Sequence, residues 1–389
     1  MKGFSRRQFL KTAAMTAAGA AIVPGSIAHA KAAGDLSLTD ATGKLSPANP
    51  NGAQADGSAA LTDAADSSSE AGAVSRREAK LLRQNWFNYT SADGVQTLSI
   101  WSPWIKEDIH LFVIADSHLY ESDSRNEPYK AFSARMAAAY NQVPHHVTHR
   151  MTTPAQSFRE VMETAKRKRP DAIIHLGDLV SFPSELSIEY AASLIKECGL
   201  PFYYISGNHD WCYEGFEADP LKHRATWMPR LRPLYPEGVD PLGYTKTVKG
   251  LKLILLDDST NDVTPDQVEF FRKEVSCGMP TLLMMHIGLY LPGHETYYLG
   301  YPDYKPVLSA AEGLQMRSAK DPAIRASNIE ALFREVMRAS DSEQLLATVV
   351  GHNHVVKTEE IALSRQFVVP FAGNGSYTDL YLHPSASAE

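Results

Sequence analysis

Five short blocks of this 389-residue chain carry side chains that bind divalent cations. They are Asp116-Ser117-His118, Gly177-Asp178, Gly207-Asn208-His209-Asp210, a single His286, and Gly351-His352-Asn353-His354. Each follows an apolar run: "LFVIA" from Leu111, "AIIHL" from Ala172, "FYYIS" from Phe202, "TLLMM" from Thr281 and "LATVV" from Leu346. A carboxylate or imidazole at the mouth of a buried strand is costly unless it is paired or ligates something. One polar strand end is ordinary; five that deliver Asp, Asn or His are hard to explain by packing. Carboxylate oxygens, an amide oxygen and imidazole nitrogens suit borderline divalent ions, and without a thiolate a closed structural zinc site does not fit.

Two such ions held about 3.5–4 Å apart can clamp the attacking and leaving oxygens of a phosphoryl group. Set against Asp116, Asp178 and one hydroxide, their charge leaves the site slightly positive, which suits a phosphate ester anion. The glycines before Asp178, Asn208 and His352 fit turns where the backbone must bend and approach the ions closely.

The elements that must position these blocks alternate. Apolar runs at Leu251 ("LKLILL") and Phe367 ("FVVPF") add further strands, and helical segments with good start signals lie between the strands. Pro154 opens one helix that ends in "KRKR" (Lys166–Arg169), read as a helix C-terminus. Thr264 to Gln267 and Ser327 to Glu330 both fit capping boxes, and "SELSIEYAASLIKEC" stops at Gly199. Strands alternating with helices predict an α/β fold with a largely parallel sheet, whose ligands gather at the C-terminal strand ends.

The ordered set Asp-x-His, Gly-Asp, Gly-Asn-His-Asp, His and Gly-His-x-His, spread over Ile109 to Gly375, resembles the calcineurin-like metallophosphoesterase superfamily. The resemblance implies a four-layer α/β/β/α sandwich, with two sheets face to face and helices outside. It implies that Asp116, His118 and His354 hold a first metal, that Asn208, His286 and His352 hold a second, and that Asp178 bridges both. His209 would face the scissile phosphate as general acid or transition-state stabiliser, with Asp210 orienting and charging it. The nucleophile would be a metal-bridging hydroxide, with no covalent phosphoenzyme. Ser181 stands where purple acid phosphatases carry a metal-binding tyrosine. The residues after Asp178, "LVSFPS", lack the arginine of calcineurin-type protein phosphatases. The pattern is closer to the bacterial cyclic-nucleotide phosphodiesterase-like branch.

The first thirty residues carry Arg6-Arg7 followed by Phe9-Leu10-Lys11, then a short Ala-rich stretch ending in Ala28-His29-Ala30. They resemble a bacterial twin-arginine (Tat) export signal, cleaved after Ala30. The apolar stretch is too short for stable membrane insertion. Residues 31–79 are rich in Ala, Ser, Gly, Asp and Thr and hold no aromatic, a composition expected of a disordered linker. The catalytic domain is expected over 80–389. The Tat machinery would carry the chain to the periplasm or beyond.

The formal net charge is −7, and removal of the basic leader makes the remainder more acidic, a poor match to nucleic acid. Cys198 and Cys277 read as ordinary packing near helix ends; Cys212, beside the third block, is left open. His175 reads as a core histidine, and His145, His146 and His149 as a solvated loop. Trp211 and Cys212 are candidates for a pocket rim, and "WFNYT" and "IWSPW" for strands covering a sheet edge. The Tyr-rich stretch within 287–345, with Tyr290, Tyr297, Tyr298, Tyr301 and Tyr304, is either a lid or a packed insertion.

The expected activity is hydrolysis of small-molecule phosphoesters, diesters ahead of monoesters, with two divalent ions drawn from manganese, iron, zinc, cobalt or nickel. The alternatives are a phosphomonoesterase or protein-phosphatase-like enzyme, and a non-catalytic binding protein that retains the fold. Degenerate relatives lose ligands, and here every expected ligand type is present.

Overall fold

The computed structural model describes residues 87–289, 322–341 and 345–385. The leader, the linker and the tyrosines of the Tyr-rich stretch lie outside them. Strands β1 (Phe87–Ala92), β2 (Val95–Ser102) and β3 (Ile109–Ile114) come first, followed by helix α1 (Lys130–Ala139). The short pair β4 (Val143–Pro144) and β5 (Met151–Thr152) precedes α2 (Pro154–Lys168), β6 (Ala172–Leu176), α3 (Glu185–Cys198), β7 (Phe202–Ile205) and α4 (Pro220–Leu231). Then come β8 (Gly243–Val248), β9 (Leu251–Leu256), α5 (Pro265–Val275), β10 (Thr281–Met284) and α6 (Pro322–Asp341). Strands β11 (Leu345–Val350), β12 (Lys357–Ile361), β13 (Ser364–Val368) and β14 (Tyr377–Pro384) close the chain.

These strands build two six-stranded sheets, in the orders β1-β2-β14-β3-β6-β7 and β12-β13-β11-β10-β9-β8. In the first, β3, β6 and β7 run parallel as neighbours. In the second, β9, β10, β11 and β13 do. The period of two along a strand shows how the sheets stack. On β9, Leu251, Leu253 and Leu255 enter a core shared with first-sheet residues such as Leu98, Leu111 and Ile174. The alternate residues Ile254 and Leu256 face a second core with Phe271 of α5 and Leu332 of α6. Phe158 and Val161 of α2 and Ile188 and Ala191 of α3 cover the first sheet. The layers are therefore α/β/β/α, as the family resemblance implies. Full burial of each such leucine or isoleucine contributes about 1.5–3 kcal/mol. All described residues belong to one compact unit, Val74–Glu389.

Local signals set most helix ends. Thr153 and Thr264 close capping boxes with Gln156 and Gln267, and Gly199 ends α3 with a left-handed φ of 70°. At α6 the capping signal misleads: the helix already begins at Pro322, with Ser327 inside it, because proline suits the first turn. The strand "FNYTSA" forms the first sheet's edge as expected, but it is mostly exposed rather than core. Cys277 is exposed, not packed.

Asp379 on β14 ties three elements together, 2.8 Å from His110 Nε2 on β3 and 2.7 Å from Lys168 Nζ of α2. Burial alone would raise its pKa, but the bonds from His110 and Lys168 outweigh burial and hold it below the usual carboxylate range. A depressed carboxylate stabilises the fold fully above its unfolded pKa, and loses that contribution as pH falls through the lower folded value. Asp379→Asn is expected to cost roughly 1.5–3 kcal/mol at neutral pH. In urea unfolding at a series of pH values, the gap between wild type and variant should close on acidification. A gap independent of pH would contradict this.

Candidate metal centre

All five blocks lie at C-terminal strand ends: β3, β6 and β7 deliver the first three, β10 and β11 the last two. These ends meet where the two sheets face one another. Gly351 follows β11, and a Cβ there would stand 2.6 Å from the Ala115 Cβ and 2.9 Å from Asp116 Oδ2. Gly177, at φ 84°, would set a Cβ 2.6 Å from the Gly207 nitrogen. Only glycine permits these approaches.

The backbone is strained where the side chains converge. Asp116, His118, Asp178, His352 and His354 all have left-handed φ, between 51° and 68°. Non-glycine residues held there cost about 1–3 kcal/mol each, and persist only where the surroundings over-determine them.

Each aspartate has one oxygen tied to backbone and one facing the centre. Asp116 Oδ2 accepts the His352 N–H at 2.9 Å, linking the two sheets. Its Oδ1 is buried with no hydrogen-bond partner, 3.3 Å from His354 Nε2 and 4.0 Å from His118 Nε2. Asp178 Oδ1 accepts the His209 N–H at 2.8 Å. Its Oδ2 lies 3.2 Å from His286 Nε2 and 3.8 Å from His118 Nε2. His118 and His354 point their Nε2 atoms at each other, 3.1 Å apart. His286 Nε2 lies 3.1 Å from Asn208 Oδ1 and 3.3 Å from His352 Nδ1.

Asp116, His118 and His354 thus form one group with ligand atoms within 4.8 Å of one another, and Asp178, His286 and His352 form another. Asn208 joins the second, and Asp178 Oδ2 reaches a histidine of each. Buried acceptors aimed at one another repel unless a cation lies among them, so this donor set fits two divalent ions.

Orienting bonds support the array. His286 Nδ1 donates to the Leu176 carbonyl at 2.7 Å, which turns Nε2 towards Asp178. Burial disfavours charge on His286, but Asp178 outweighs burial and raises its pKa to about 10. A cation would take the place of that proton. Burial pushes His352 down to about 3 and His118 well below its usual value, so both rings are neutral, as ligands must be. Asp258, after β9, is buried; its Oδ1 accepts the His286 N–H at 3.2 Å, and both its oxygens accept from Ile287. Sequence reading missed Asp258, because it shares a run of polar residues with no ligand-like spacing.

Asp210 makes its hydrogen bonds to the backbone of the neighbouring turns. Its carboxylate accepts the backbone N–H groups of Asp178, Val180 and Gly207, at 2.7 to 2.9 Å, and so pins the second block to the third. The bond that would orient His209 is missing: His209 Nδ1 is buried without a hydrogen-bond partner. Burial holds the His209 pKa below its usual value, with Asp178 pulling the other way. Orphaned N–H groups at two adjacent turns attract a carboxylate more strongly than one ring nitrogen does. His209 itself lies edge-on to His118, with ring centroids 4.9 Å apart.

Other residues also differ from their sequence reading. His145 is buried, with Nε2 3.1 Å from a Glu160 oxygen, so it is not part of a solvated loop. Trp211 and Cys212 are buried, and Trp211 Nε1 donates to Ser259 Oγ, so neither forms a rim. His175 is a core histidine beneath the site, 2.9 Å from Ser117 Oγ. Tyr140 and Phe371, which sequence reading passed over, press on His118 and His354.

The model of the calcineurin-like phosphoesterase family matches residues 109–316, and that of the twin-arginine translocation signal matches residues 3–23. A probable cyclic nucleotide phosphodiesterase of Psychrobacter arcticus is 27% identical over 141 residues, covering 33% of this chain and 48% of the relative. The match thus spans about half the length of that curated relative. Similar solved structures include a dimetal phosphatase from Danio rerio, at 11% identity and a TM-score of 0.44, covering 71% of this chain and 93% of that one. A purple acid phosphatase from yellow lupin seeds is also 11% identical, with a TM-score of 0.42, covering 75% of this chain and 49% of that one. Among the described residues, no helix is long and apolar enough to cross a membrane.

Proposed function

Since this chain belongs to the calcineurin-like phosphoesterase family, we propose that it is an exported hydrolase of small-molecule phosphoesters, acting on diesters in preference to monoesters. The observation that carries the proposal is the arrangement of the two aspartates. Each has one oxygen held by a backbone N–H, and Asp178 Oδ2 stands within reach of imidazoles from both groups. In this reading Asp116, His118 and His354 would hold one divalent cation, Asn208, His286 and His352 would hold the other, and Asp178 would serve both. Two cations so placed polarise phosphoryl oxygens and acidify water. Manganese, iron, zinc, cobalt and nickel all suit the donor set.

The chain's own residues supply position and proton control. The strained turns aim these side chains at one another and limit the reorganisation that binding requires. His209 faces the scissile group and holds a proton for the leaving oxygen. Its backbone N–H on Asp178 couples it to the centre. Asp210 keeps the two turns at a fixed separation. The Tat signal implies passage through the Tat machinery, and we assign the mature domain, residues 80–389, to the periplasm or the extracellular space.

The preference for diesters rests on the likeness to a probable cyclic nucleotide phosphodiesterase and on the absence of the protein-phosphatase arginine after Asp178. The purified chain should turn over bis(p-nitrophenyl) phosphate with a higher kcat/KM than p-nitrophenyl phosphate. Both activities should vanish on chelation and return with manganese. A clear monoester preference would reverse the assignment of substrate class, and activity that survives chelation would remove the dinuclear reading.

A further inference from the structure

Tyr140, at the C-terminal end of α1, and Phe371, just after β13, form an aromatic bracket around the first ligand group. The Tyr140 ring stacks on His118, with centroids 4.2 Å apart and planes 25° apart, and meets His354 at 5.5 Å and 65°. Phe371 stacks on His354 at 4.6 Å and 28°, and touches Tyr140 at 5.8 Å. The imidazoles whose Nε2 atoms stand 3.1 Å apart are thus held on their outer faces by these two rings.

The bracket is anchored to the block it holds. Ala372 N–H donates to the Ala115 carbonyl at 2.9 Å, and Gly373 N–H to the Asp116 carbonyl at 3.0 Å. The Tyr120 hydroxyl, two residues after His118, donates to the Asn141 carbonyl at 3.3 Å. Bracket and first block are therefore tied to each other by backbone and side-chain hydrogen bonds. An imidazole bound through Nε2 is otherwise free to swing about its Cβ–Cγ bond, and stacking removes that freedom.

We propose that Tyr140 is a positioning residue that sets the cation affinity of the Asp116–His118–His354 group separately from that of the second group. This rests on the dinuclear reading above. The assignment is to the ring, because the contacts with His118 and His354 are contacts of the ring. Of the histidines in the two groups Tyr140 meets these two of the first, and it also lies edge-on to His209, with centroids 6.5 Å apart.

Manganese binding to the metal-stripped full chain, followed by calorimetry, tests this, with visible bands of added cobalt as a second readout. Wild type should show two binding steps. Tyr140→Ala should weaken one step by roughly 10–100-fold, the usual cost of losing a partner that orients a ligand, and leave the other within error. Tyr140→Phe should restore wild-type binding and the wild-type cobalt spectrum. Tyr140→Leu, which keeps apolar volume at the site, should behave like the alanine variant while melting close to wild type. Two steps weakened alike, no step weakened, or a Tyr140→Phe variant as weak as Tyr140→Ala would each overturn the assignment. A wild-type chain that takes up no cation would instead remove the dinuclear reading, and this inference with it.

Discussion

Asp178→Asn is expected to empty both halves of the centre at once. The substitution conserves shape, and the amide oxygen can still accept the His209 N–H as Asp178 Oδ1 does. An NH2 group then occupies the place of Oδ2, 3.2 Å from His286 Nε2 and 3.8 Å from His118 Nε2. A neutral donor offers no lone pair to a cation, and the negative charge that both groups share is gone. Loss of an outer partner alone costs roughly 10–100-fold in metal affinity. For a residue that reaches both groups the upper end of that range is the least to expect, at each position, with activity falling in parallel. Metal content after exhaustive dialysis, with turnover of bis(p-nitrophenyl) phosphate, measures it. An asparagine variant that keeps its full metal complement would show that Asp178 does not bridge.

His209→Ala is expected to do the reverse. The His209 contact with Asp178 is made by the backbone N–H, so truncation of the ring leaves the ligand array intact. The loss falls on proton transfer and transition-state contact, a contribution of roughly 10²–10⁴ in rate. Metal content should stay at the wild-type level while kcat drops. Should this variant lose its metals while Asp178→Asn retains them, the two roles must be exchanged. The Asp210 oxygens accept backbone N–H groups, while His209 Nδ1 has no hydrogen-bond partner.

The ligand-bearing blocks were legible because each is local: an apolar strand, a glycine or sharp turn, then a side chain that packing alone would not place there. The same locality sets the limits. The role of Asp210 beside His209 came from the family resemblance; in space its oxygens accept backbone N–H groups of two turns. His145 looked solvated because its partner Glu160 is remote from any histidine pattern. Tyr140 ends an unremarkable alanine-rich helix and carries no local mark of a site.

The sequence by itself determined which side chains offer donor atoms for a cation, and that strands deliver them in a set order, because strand periodicity and turn chemistry act over a few residues. No local pattern gave the two sheets, which only the family resemblance implied. Tertiary structure decided which strand joins which sheet, and gathered Asp116, His118 and His354 into one group and Asp178, His286 and His352 into another. It also decided that Tyr140 and Phe371 bracket one of them. The bond from His352 to Asp116 joins residues 236 positions apart. Such a pairing exists only once two sheets have packed across a common apolar core, and no short-range pattern encodes it.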